Sequence, residues 1–181
     1  SVSDNIEKSS VYLYEARRMG ITVAPPSVIK SRKDFVAVDG DILVGLSSIR
    51  NVGAVTDRIL EEREVSPFKS FIDFLKRVNP NTRELKSLAQ AGALDEFGSR
   101  WGIVSVAEEL LSQVRKDKKK QVESLFDIDE MIAIEIPTQE YPLIQKMALE
   151  KEVVGIYISW HPLDDTTPLK WQVQDLYNVP E

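Results

Sequence analysis

From Gly20 to Ser99, chain breakers recur so closely that only short elements fit between them. They are Gly20, Pro25-Pro26, Asp39-Gly40-Asp41, Asn51-Val52-Gly53, Ser66-Pro67, Asn79-Pro80-Asn81, Gly92 and Gly98-Ser99. Proline lacks the N–H that a helix interior needs, and Gly or Asn readily takes the backbone angles that end one. The intervening residues are mostly amphipathic at helical spacing. This predicts short helices over residues 5–19, 46–50, 54–64, 68–78 and 82–91, then a longer one over 100–116. The exception is 35–44, where Asp39-Gly40-Asp41 parts two apolar runs. Asp-Gly in that setting predicts a β-hairpin. The expected fold is therefore mainly α with one small β-hairpin.

The pattern changes after residue 116. Lys116-Asp117-Lys118-Lys119-Lys120 is a charge run, and residues 127–140 are acidic without helical periodicity. Residues 117–140 read as a linker. A last helix is expected over 141–153, inside a segment 141–165 that packs back on the domain. A polar, proline-containing tail follows over 166–181.

Composition removes several functional classes. The 181 residues contain no cysteine and a single histidine, His161, so thiol catalysis, cysteine metal sites and multi-histidine metal sites have no material. No apolar run approaches the ~20 residues of a membrane span. A soluble, cytoplasmic protein without a membrane partner is expected. The formal charge of −6 argues against whole-molecule attraction to nucleic acid but leaves room for local basic patches.

Two segments carry chemistry. Asn51-Val52-Gly53 separates two short helices, and a tight turn of this kind leaves the first N–H groups of the second helix pointing outward. Those donors, with the positive helix end, suit a phosphate oxygen. Arg50, Asn51, Val52, Gly53, Val55 and Arg58 form this candidate DNA-backbone site. Its contacts would fix position on a duplex without reading its sequence. The alternative is an ordinary helix corner. A second interrupted pair spans residues 85–91 and the helix from Arg100. Its turn carries Asp95 and Glu96, which repel phosphate, so a structural role is expected there. The other segment is Gln121-Val122-Glu123-Ser124-Leu125-Phe126, a glutamine and a Leu-Phe pair in polar surroundings, able to fill an apolar pocket on a partner. Leu125 and Phe126 anchoring the linker internally is the competing reading.

A collinear resemblance joins these segments. Tyr14-Glu15-Ala16-Arg17-Arg18-Met19-Gly20-Ile21 with Pro25-Pro26, Val44-Gly45-Leu46-Ser47-Ser48-Ile49-Arg50-Asn51-Val52-Gly53, Ile59-Leu60-Glu61-Glu62-Arg63, Pro67-Phe68-Lys69-Ser70-Phe71, Ala91-Gly92-Ala93-Leu94-Asp95 and Leu149 through Leu163 occur in order. The chain resembles bacterial replicative DNA polymerase III alpha subunits over about residues 5–165. That resemblance implies the end of a fingers region (1–45), a tandem helix-hairpin-helix domain (46–116), a clamp-binding stretch (117–140) and a lead toward an OB-fold. It implies duplex primer–template DNA, a sliding clamp and other replisome subunits as partners. Gln121, Ser124, Leu125 and Phe126 take the place of the clamp peptide. The first glycine of the family's Gly-Val-Gly turn is Asn51 here, and three residues rather than two separate Gln121 from Leu125.

The family's nucleotidyl transfer uses clustered aspartates that hold magnesium. Asp127-Ile128-Asp129 falls in the linker, the wrong place for that strand, and no phosphate-binding Gly-rich loop is present. A non-catalytic stretch without a metal or cofactor of its own is expected, with magnesium used elsewhere in a parent polymerase. Neither the acidic residues Asp127, Asp129, Glu130 and Glu135 nor His161 with Asp164-Asp165 has a recognisable metal-ligand spacing. Trp160 and His161 are expected to pack against the last helix. A protein–protein scaffold module with little DNA contact is the alternative function.

Overall fold

The computed structural model describes residues 12, 15, 16, 18–123 and 134–159, the side chains of 117–123 excepted. Tyr12, Glu15, Ala16 and Arg18 are helical, and three short strands follow: β1 (Val23–Ala24), β2 (Val36–Val38) and β3 (Asp41–Leu43). A 3-10 turn, Leu46–Ser48, precedes the helices α1 (Gly53–Val65), α2 (Phe71–Val78), α3 (Thr82–Gln90), α4 (Arg100–Glu123) and α5 (Leu143–Val153). The architecture is mainly helical, as the spacing of apolar residues predicts.

The β-hairpin forms at its Asp-Gly signal. Asp39 and Gly40 both hold positive φ, 53° and 90°, which matches the twist of a two-residue turn. Val36 pairs Leu43 and Val38 pairs Asp41, antiparallel. A feature without sequence warning is the third strand. β1 joins β3 in parallel, with Val23 opposite Ile42, so the order is β1-β3-β2. Two residues are too few to show a period.

Several helix boundaries differ from expectation. α2 begins at Phe71 rather than residue 68, because Ser70 caps it by accepting the Asp73 N–H at 3.1 Å, while Asp73 accepts the Lys69 N–H at 2.9 Å. Phe68 instead sits outside the helix and edges onto Phe74, ring centroids 5.2 Å apart. α4 continues to Glu123, so residues 117–123 are helical where the expected helix ends at 116. Lys and Gln are strong helix formers, and a charge run does not by itself end a helix. The other end of the expected linker is also ordered. Residues 134–140 lie along the start of α4, with Ile134 and Ile136 against the core. α5 starts at Leu143.

One core unites these elements. Val44, Leu46, Val52, Val55 and Ile59 meet Phe74, Leu75, Val78, Leu85 and Leu88 and the α4 residues Ile103, Ala107, Leu110 and Leu111. Val153, Val154, Ile156 and Ile158 complete it. The expected packing of Trp160 and His161 lies outside the described residues. No helix among the described residues is long and apolar enough to cross a membrane.

Candidate nucleic-acid interface

The 3-10 turn and α1 form the first helical hairpin, with residues 49–52 between them. Asn51 occupies the left-handed region, φ 68°, where Asn is the most tolerant residue after Gly. Its side chain turns away from the hairpin tip, donating Nδ2–H to Ser87 Oγ at 3.2 Å. The turn therefore survives without the family's first glycine, and the Asn51 side chain leaves the tip open.

The α1 N-terminus is uncapped by any side chain. Val55 and Thr56 donate their N–H groups to the Val52 carbonyl at 3.1 and 2.9 Å. The N–H groups of Asn51, Gly53 and Ala54 have no hydrogen-bond partner among the described residues, and all three residues are exposed. Gly53 has an ordinary φ, and a Cβ there would meet nothing within 4 Å. The fold thus makes no demand for glycine at 53. Its absent side chain leaves the donors bare, as close approach of an anion requires.

The sequence-predicted residues divide. Arg50 is exposed and makes no ion pair among the described residues, so its charge stands free beside the turn. Val52 and Val55 are fully buried core residues, and the Val55 N–H is already used, so Val55 is corrected to a packing role. Arg58 does not stand free either. It reaches Glu84 Oε2 at 3.8 Å, with Glu84 held in the α3 capping box by Asn81. A cation not predicted from sequence is Arg83, exposed and without an ion pair among the described residues, one turn before Ser87 on α3. Packing brings Ser87 of the same helix to the turn, and no local signal encodes that. Lys33 pairs Asp57 at 2.7 Å, which holds the lysine pKa above its ordinary value and neutralises an acid on α1. Arg63 braces the hairpin from behind, donating to the Val28 and Ser31 carbonyls at 3.0 and 2.8 Å.

The second hairpin is built differently. Gly92 holds φ 86°, and a Cβ there would strike the Arg100 guanidinium. Arg100 is buried between Asp95, at 2.9 Å, and Glu150, at 2.8 Å. Burial works against its charge, but the two carboxylates outweigh it and raise the pKa. The α4 N-terminus is occupied by a carboxylate from the chain itself. Glu140 accepts the Arg100 and Trp101 N–H groups, each at 3.2 Å, and pairs Lys146 at 3.0 Å. Ser99 Oγ accepts the Gly102 N–H at 3.0 Å. Asp95 is thus a structural acid, and the second hairpin offers no open anion position.

Of the clamp peptide, Gln121 lies in the last turn of α4, while Ser124, Leu125 and Phe126 lie outside the described residues, as do Asp127, Asp129 and Glu130. Among the described residues no group of three or more acidic or histidine side chains is arranged to hold a metal ion.

A family model described as a helix-hairpin-helix motif matches residues 20–103. DNA polymerase III subunit alpha from Thermus aquaticus is 42% identical over 167 residues, covering 87% of this chain and 13% of that protein. The Bacillus subtilis subunit is 39% identical over 175 residues, covering 90% and 15%. The Mycobacterium leprae subunit is 37% identical over 183 residues, covering 93% and 16%. The chain spans roughly a seventh of the length of these curated relatives. It is homologous to part of the bacterial DNA polymerase III alpha subunit and is built on a helix-hairpin-helix motif.

Proposed function

We propose that this chain is a non-catalytic, DNA-binding part of a replicative polymerase, holding the duplex backbone without sequence preference. The carrying observation is the trio of bare N–H groups at Asn51, Gly53 and Ala54 beside the free Arg50, within a helix-hairpin-helix motif. Phosphate contacts of this kind position a duplex and read no bases. Arg83 is a further exposed cation on α3, one turn from the Ser87 that holds Asn51. Tethering to a sliding clamp through Gln121, Ser124, Leu125 and Phe126 is the second half of the proposal, supported by sequence resemblance at that place. A weak DNA contact and a weak clamp contact on one chain slow escape more than either alone. Nucleotidyl transfer and its magnesium are assigned to other parts of a parent polymerase, and this stretch receives no cofactor.

The test is duplex binding by the chain as salt rises. Binding that weakens log-linearly with salt and falls further in Arg50→Ala supports the reading. No binding at low salt would promote the alternative, a replisome scaffold module, for which the charge of −6 and the Arg58–Glu84 pairing speak.

A further inference from the structure

Glu150 is charged and completely buried, an arrangement that persists only when every lone pair is answered. Its Oε1 takes Arg100 Nη1 at 2.8 Å and the Ser159 hydroxyl. Its Oε2 takes the N–H groups of Ile158 and Ser159 at 2.9 and 2.8 Å. One carboxylate thereby fastens three places: the α5 terminus, the start of α4 and the chain at 158–159.

The same helix end reaches the first hairpin. α5 closes with the Val154 N–H on the Glu150 carbonyl at 2.8 Å and a turn at Gly155, φ 85°. The Val153 carbonyl, thus excluded from the helix ladder, accepts the Arg50 N–H at 2.7 Å. Arg50 directly precedes the left-handed Asn51, and the bare donors at 51, 53 and 54 lie within the next four residues of the chain.

We propose that Glu150 is a positioning residue for the hairpin, holding the Ile49–Arg50 peptide through the end of α5, so that phosphate binding by the turn is conditional on docking of residues 143–159. This rests on the reading that the turn binds DNA. It makes the docked segment after α5 a control point for DNA affinity: a partner that draws 156–159 away from Glu150 loosens the turn.

The experiment joins amide exchange with duplex binding on the 181-residue chain. Glu150→Gln keeps the volume and removes the charge, leaving Arg100 with Asp95. The Arg50 amide should exchange at least ~10-fold faster while core amides of α3 remain protected. Affinity for a mixed-sequence duplex should fall about fivefold, yet the same change in an Arg50→Ala background should cost less than about twofold, because coupled residues are non-additive. Ser159→Ala removes one donor of four and should give an intermediate exchange rate, which keeps the test open if Glu150→Gln does not fold. An Arg50 amide still protected in folded Glu150→Gln, or in Ser159→Ala should that be the only variant to fold, overturns the brace. Equal affinity losses in both backgrounds overturn the positioning role. Absence of duplex binding by the unaltered chain overturns the DNA reading itself and leaves the exchange result to judge the brace alone.

Discussion

Asn51 and Ser87 stand 36 residues apart and are joined by a 3.2 Å hydrogen bond from the Asn51 amide to the Ser87 hydroxyl. The bond ties the first hairpin's turn to α3 and takes the Asn51 side chain off the tip. Asn51→Gly should keep the left-handed backbone and lose only that bond, about 0.5–1.5 kcal/mol. Asn51→Val should lose the bond and add the left-handed penalty of about 1–2 kcal/mol. Urea denaturation separates them, and equal midpoints would sink the assignment of positive φ as the reason for Asn.

Arginines near the turn should differ in their effect on DNA. Arg50→Ala should weaken binding across all duplex sequences and lower the salt slope by about 1, as loss of one phosphate contact does. Arg83→Ala should act in the same direction. Arg58→Ala should change affinity least of the three, because Glu84 already neutralises that charge. Titrations at several salt concentrations decide the order, and a dominant Arg58 effect would mean that the Glu84 pair opens on binding.

Residues 134–140 depend on a missing side chain. A Cβ at Gly102 would collide with the Pro137 carbonyl and crowd Ile136. Gly102→Ala gains helix propensity, since Ala is the better helix former. It should nonetheless destabilise the chain by about 1–3 kcal/mol through overpacking. Denaturant unfolding measures this, and a stabilised Gly102→Ala would show that the segment is not held against α4.

Two depressed carboxylates set the acid limit. Burial alone would raise the pKa of Glu140, but hydrogen bonds from Tyr141, Lys146, Trp101 and Arg100 outweigh it and hold it below 4.5. Burial likewise opposes the charge on Glu150, which Ser159, Arg100 and Ile158 outweigh. A group with a lowered folded pKa contributes stability above its unfolded pKa and loses it as pH falls through the folded value. Stability should therefore hold near neutrality and fall progressively below about pH 4.5. Glu140→Gln should flatten part of that fall in urea melts across the acid range. An unchanged acid limb would remove Glu140 from the account.

For the clamp, a buried Leu and a buried Phe are worth about 1.5–3 kcal/mol each, so a peptide of residues 116–130 should bind a cognate clamp in roughly the millimolar to tens-of-micromolar range. Leu125→Ala with Phe126→Ala should abolish that binding and leave the melting temperature of the chain nearly unchanged. A lowered melting temperature would instead mean that these residues pack internally.

Local chemistry in the sequence determined the elements and the hairpin tip. Asp39-Gly40 specified the β-turn, apolar spacing specified the helices, and Asn51-Val52-Gly53 marked the turn with bare donors, since each depends on residues adjacent in the chain. Tertiary structure decided which charges remain free. Arg58 and Arg50 look equivalent in sequence, yet Glu84, brought in by α3, engages one and spares the other. Glu140 at the start of α4 and Glu150 between Arg100 and Ser159 join residues up to 50 positions apart in sequence. No local pattern encodes such pairings, because they arise only when packing brings distant backbone donors and charges into a common buried space, where an unanswered charge is too costly to keep.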